Sequence, residues 1–167
     1  VIPETQTLVA GTYPATAAAA IAYTDNNIVE FKNATALLKF KVAGDDVRFG
    51  AFYGVQDVAK LSGTFDVDYN EGDPTVAATA GNHWVNFNLN GEVLSKEAVY
   101  YVAIAPGEVE NFAVSLNDTE IMKKNGTFTF KRNVIYDLGT ITYEAPEVLE
   151  WGICGTMTGW GETGDIS

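Results

Sequence analysis

Apolar and polar residues alternate with a period of two along most of the chain. This is the pattern of extended segments that bury one face and wet the other. Over 34–42, Ala36, Leu38, Phe40 and Val42 share a face, while Lys39 and Lys41 take the opposite one. His83, Val85, Phe87 and Leu89 alternate with Trp84, Asn86 and Asn88; Phe65, Val67 and Tyr69 alternate with Asp66 and Asp68. Each apolar set is expected to face a core. Further strands are expected at 28–31, 47–53, 98–105, 111–116, 120–124, 127–130 and 134–143.

Turn residues separate these segments at 44–46, 70–74, Asn90-Gly91, Pro106-Gly107, Asn117-Asp118 and Asn125-Gly126. Asn and Gly both tolerate positive φ, so the two Asn-Gly pairs are expected to close tight hairpins. About nine to ten short strands at this spacing predict an all-β protein, an antiparallel β-sandwich. The alanine-rich stretch 15–22 invites a helical reading. At eight residues after Pro14 it is too short to hold a helix in water, and a loop or single turn is expected.

The pattern changes near Tyr143. Residues 144–147 read as an acidic, proline-stiffened linker, and Trp151 to Trp160 begin an aromatic segment of different character. The expected organisation is a sandwich domain over 1–144, then a linker and the opening of a second domain over 145–167.

Composition narrows the function. Of the 167 residues 47% are hydrophobic, enough for one core without disulfides. Cys154 is the single cysteine, which leaves no internal disulfide and no thiolate metal cluster. Ten basic against 22 acidic residues give a net charge of -12, a field that repels nucleic acid and anionic lipid. No apolar run approaches the ~18 residues of a membrane-spanning helix. Val1-Ile2-Pro3 has neither an initiator methionine nor a basic leader, so a mature or trimmed chain is expected, without signal or anchor.

Candidate chemistry is sparse. Asp66, Asp68, Asn70 and Asp73 place oxygen ligands at alternating positions, as calcium loops do. However, the glycine falls at Gly72 rather than at 71, and Ala77 stands where the bidentate glutamate belongs. Calcium is therefore kept as an alternative, and no metal or cofactor is assigned. His83 is the single histidine and reads as a packed or rim residue at a strand end; Cys154 has no basic neighbour to activate it. No carboxylate pair or phosphate-binding glycine loop stands out, so no catalytic residue is named and an enzyme is not expected. The best functional lead is Trp84, flanked by Asn82, Asn86 and Asn88. An aromatic plane can stack on the C–H face of a sugar while amides take its hydroxyls; the competing reading packs Trp84 beneath a crossing loop.

Three segments in order resemble the fimbrillin-like surface proteins of Bacteroides-type bacteria. Residues 29–42 (VEFKNATALLKFKV) resemble that family's F-x-N-x-x-A-L-L-K-F strand pair. Residues 100–107 (YYVAIAPG) resemble its YYVAVAPG strand and turn, and 131–139 (KRNVIYDLG) its RN-x-IY-x-LG closing strand. The resemblance covers roughly Leu8 to Tyr143. It implies a transthyretin-like, Greek-key sandwich, secreted and anchored at the outer membrane as a lipoprotein, with a role in cell adhesion or a pilus. Its implied partner is a surface protein or pilus subunit engaged through an edge strand, since subunits of this family join when one donates a strand to the next. Trp151 to Trp160 resembles the opening strand of SusE/SusF-type glycan-binding domains. That likeness implies the alternative function, a carbohydrate-binding surface module of a polysaccharide-utilisation system. Trp84, Asn86, Asn88, Trp151 and Trp160 are then the candidate ligand-binding residues.

Overall fold

The computed structural model describes residues 1–17, 19–22, 24, 27–68 and 74–146. Among them the chain is an all-β sandwich of twelve strands, with one 3-10 turn at Ala15–Ala17. One sheet has five strands, in the order β1 (Thr5–Thr7), β8 (Trp84–Asn88), β5 (Phe49–Gly54), β10 (Gly107–Leu116) and β11 (Thr119–Phe130). The facing sheet orders β12 (Ile135–Thr142), β4 (Ala36–Ala43) and β9 (Tyr100–Ile104). Two ribbons, β2 (Ala20–Ile21) with β3 (Lys32–Asn33) and β6 (Ser62–Asp68) with β7 (Thr75–Asn82), complete the set.

The alternation read from the sequence points the right side chains inward. Ala36, Leu38, Phe40 and Val42 are buried from one sheet, and Phe52, Val85 and Phe87 from the other. Phe40 packs against the rings of both Phe52 and Phe87, with centroids at 5.2 and 5.1 Å, so this one residue joins the aromatic cores of both sheets. Leu37 has the parity of Lys39, yet it is buried. It packs with Ala103 under Ala17, so the 3-10 turn covers this point on the back of the three-stranded sheet.

Several local expectations are corrected. Residues 28–31 form no strand; Ile28, Val29 and Phe31 are exposed, and pairing begins only at Lys32. The strands expected at 120–124 and 127–130 are one, β11. Asn125-Gly126 is not a hairpin but lies opposite a bulge in β10, where the register shifts between Glu110 and Phe112. Asn111 takes a positive φ of 53° there, and its side-chain oxygen accepts the Gly126 N–H at 3.1 Å. The tight two-residue hairpin occurs instead at Asn117-Asp118, both with positive φ, between Leu116 and Thr119. Asn90-Gly91 also turns with positive φ, but it carries the chain away from β8 toward the other sheet.

Most pairings are antiparallel as expected, but β1 runs parallel to β8 and β12 parallel to β4. The β6–β7 ribbon stands outside both main sheets. Phe65 and Val67 are consequently half-buried rather than part of the core, and Tyr69 lies outside the described residues. Among the described residues no helix is long and apolar enough to cross a membrane.

Candidate functional site

Two features of the five-stranded sheet bear on function: its outer face and its β1 edge. Side chains at 49, 51 and 53 of β5 point outward, because Gly50, Phe52 and Gly54 fill the inward parity. The register then lays out three outer rows. Trp84 lies beside Tyr53 and then Ala113. Thr5, Asn86, Ala51, Ser115 and Glu120 form the second row. Thr7, Asn88 and Phe49 form the third.

The structure therefore brings Trp84, Asn86 and Asn88 onto one face, as alternation requires, and each is half-buried. Trp84 is held at the margin. The His83 ring meets it edge-on with centroids 4.8 Å apart, and the Trp84 carbonyl accepts the Ser62 hydroxyl at 2.7 Å. His83 Nδ1 lies 3.2 Å from Asp57 Oδ1 without hydrogen-bond alignment, while Lys60 donates to the same oxygen at 2.6 Å. That lysine, with a smaller contribution from His83, holds the Asp57 carboxyl below its usual range. Packing against Trp84 and the nearness of Asp57 thus account for His83 as a rim residue.

Tyr53 crosses the sheet diagonally and donates its hydroxyl to Glu120 at 2.6 Å. Burial, then this bond, push the phenol up to about 12. In the next rows the small side chains of Ala51 and Ser115 leave a hollow of about 280 Å³, bordered by Thr5, Phe49, Asn86, Asn88 and Asp118. Phe49 is 40% exposed. The sequence reading missed Phe49, Ser115 and the Tyr53–Glu120 pair. The parity of 49-51-53 was the available signal, but only pairing across β1, β8, β5 and β10 assembles the hollow.

The second feature is the edge itself. β1 has only three residues, but it is seated deeply. Ile2 and Leu8 are buried on either side of it, and Ile2 exchanges two 2.8 Å backbone bonds with Gly63. Gln6, 1% exposed, turns its amide to β9: Nε2 donates to the Ala103 carbonyl at 2.6 Å, and Oε1 accepts the Ala103 N–H at 2.9 Å. Farther along, Gly11 N–H donates to the Val99 carbonyl and Ala105 N–H to the Leu61 carbonyl. The free side of β9 is thus sealed by side-chain and loop groups where a neighbouring strand would otherwise lie.

Of the calcium alternative, Asp66 and Asp68 sit on the exposed face of β6, and Asn70 and Asp73 lie outside the described residues. Trp151, Trp160 and Cys154 also lie outside them, as does nearly all of the expected linker and second-domain segment. Among the described residues no three His, Cys, Asp or Glu side chains group as metal ligands would. Compared with protein-family models and with curated proteins, the sequence matches none.

Proposed function

We propose that this chain is a non-catalytic cell-surface module of the fimbrillin-like type, serving adhesion or fimbrial-type assembly as the docking or spacer domain of a lipoprotein. It docks through the seam between β8 and β9, the place β1 now fills. One observation carries the reading: a three-residue parallel edge strand closes two sheet edges at once, through backbone bonds to β8 and the Gln6 amide to β9. Parallel pairing is slightly weaker per residue than antiparallel, and an open edge offers rows of unpaired donors and acceptors to an incoming strand. A strand from a partner, placed in this seam with two apolar residues where Ile2 and Leu8 sit, would satisfy the same groups. The resemblance of residues 29–42, 100–107 and 131–139 to fimbrillin-like segments supports the same role and the surface location.

The test is complementation. Protein lacking residues 1–10 is expected to lose stability and to regain it on binding a synthetic peptide of those ten residues, seen as a one-to-one complex by native mass spectrometry. A peptide with Gln6→Pro is expected not to bind, because proline has no N–H and cannot offer the amide. A truncated protein that stays monomeric, keeps its melting temperature and ignores the peptide would rule out the seam as a docking site.

A further inference from the structure

We propose that the hollow over Ala51, on the outer face of the five-stranded sheet, binds one ring of a neutral glycan. The inference does not require strand exchange: the hollow is built on the outer face of β8, β5 and β10, and β1 adds only Thr5 to its border.

The polar groups around the hollow are open. Among the described residues, the Asn86 amide, the Ser115 hydroxyl and the Thr5 hydroxyl make no hydrogen bond to the protein, and all three belong to one row of adjacent strands. Asn88 accepts the Asn90 N–H at 3.0 Å with its side-chain oxygen, which leaves its NH₂ free to donate. Two amides and two hydroxyls, each amide able to donate and accept, suit a ligand with hydroxyls on neighbouring carbons. Phe49 supplies what polar groups cannot, an exposed aromatic surface on the rim for the C–H side of a sugar ring.

Size and charge narrow the ligand. At about 280 Å³ the hollow falls below the ~300–1,000 Å³ of pockets that hold drug-sized ligands, so it takes a single ring with the rest of the polymer running across the sheet. Asp118 borders it, Glu120 ends its central row, and the chain carries a net charge of -12. Uronic or sulfated sugars would meet like charge, and a neutral hexose would not. The structure thus moves the aromatic platform from Trp84, held in by His83, to Phe49, while keeping Asn86 and Asn88.

The test is affinity electrophoresis of the whole chain in gels containing galactomannan, glucomannan or mixed-linkage β-glucan, with polygalacturonate as the anionic control. Retardation in at least one neutral gel is expected, weakened at least tenfold by Phe49→Ala and by Asn86→Asp. Asn86→Asp preserves the side-chain shape, so it separates lost recognition from lost folding; Lys39→Ala, on the outer face of the opposite sheet, should leave retardation unchanged. No retardation in any neutral gel, retardation by polygalacturonate only, or retardation untouched by both substitutions would overturn the proposal.

Discussion

Gln6 and Ala103, 97 residues apart, are joined by two hydrogen bonds, one in each direction, between a side-chain amide and a backbone peptide. Both Ala103 groups point away from β4, so the glutamine serves as the peptide unit of an absent neighbouring strand. Gln6→Ala strips both partners from a buried backbone residue and is expected to cost about 1–3 kcal/mol for each group that water cannot reach. Gln6→Glu is the sharper test. Its carboxylate still accepts the Ala103 N–H but faces the Ala103 carbonyl without a proton. Burial raises the glutamate's folded-state pKa above its ordinary ~4.3. The variant's deficit is therefore full above that raised value and shrinks as pH falls through it. Urea melts at pH 7.5 and pH 5 should show the gap from the parent protein closing on acidification.

Lys39 and Asp137 form a cross-strand pair at 2.6 Å on the outside of the three-stranded sheet. The Lys39 ammonium, and then the Gly139 N–H, hold the Asp137 carboxyl below its usual range. A carboxyl depressed in the folded state adds stability above its unfolded pKa and loses it as pH falls through the folded value. Lys39→Ala is expected to move the Asp137 titration upward only part of the way, since the Gly139 donor remains. Carboxyl-carbon NMR titration measures this; an unmoved midpoint would show that the ammonium contributes nothing.

Tyr53 titrates at about 12 because of burial and its bond to Glu120. The folded state therefore keeps this phenol neutral in alkali, and the associated stability is lost as pH rises from about 10, the ordinary tyrosine value, through 12. In Glu120→Gln the absorbance titration at alkaline pH should move one tyrosine downward, yet leave it above the ordinary value, as burial persists.

Gly81 sits at the base of the β6–β7 ribbon with φ of +156°, and a Cβ there would lie 1.8 Å from the Ser62 carbonyl oxygen. Gly81→Ala is expected to cost on the order of 1–3 kcal/mol from backbone strain alone, and more from the collision. Hydrogen exchange should quicken across β6 and β7 while the amides of β4 and β9 stay protected. Uniform loss of protection would mean that the ribbon is integral to the core rather than an appendage.

The sandwich was legible because burial on one face imposes alternation, and Phe40, Phe52 and Phe87 followed it. Residues 28–31 and Phe65 did not, for a physical reason: an apolar residue in an extended segment shows which side it offers, not whether a second layer exists to cover it. Asn125-Gly126 carried the right conformational preference but the wrong consequence, since positive φ serves a bulge as well as a turn. Which of the two forms depends on Asn111, fifteen residues away. Trp84, Asn86 and Asn88 could be placed on one face from a single strand. Phe49 and Ser115 could not be joined to them, because that neighbourhood exists only once strands distant in sequence are in register.

The position of β4 governs how this protein must fold. It is the middle strand of its sheet, yet its neighbours are β9, some sixty residues later, and β12, whose Ile135 pairs with Leu37. An emerging chain therefore holds a greasy strand with no partner for some sixty residues, until β9 follows, and with one edge open until β12 closes the sheet. Contacts so distant in sequence close slowly, roughly in milliseconds to seconds for comparable β topologies. Until then Leu38, Phe40 and Val42 need shelter from neighbouring molecules, and the final strand to arrive, rather than the first hairpin to form, decides when that need ends.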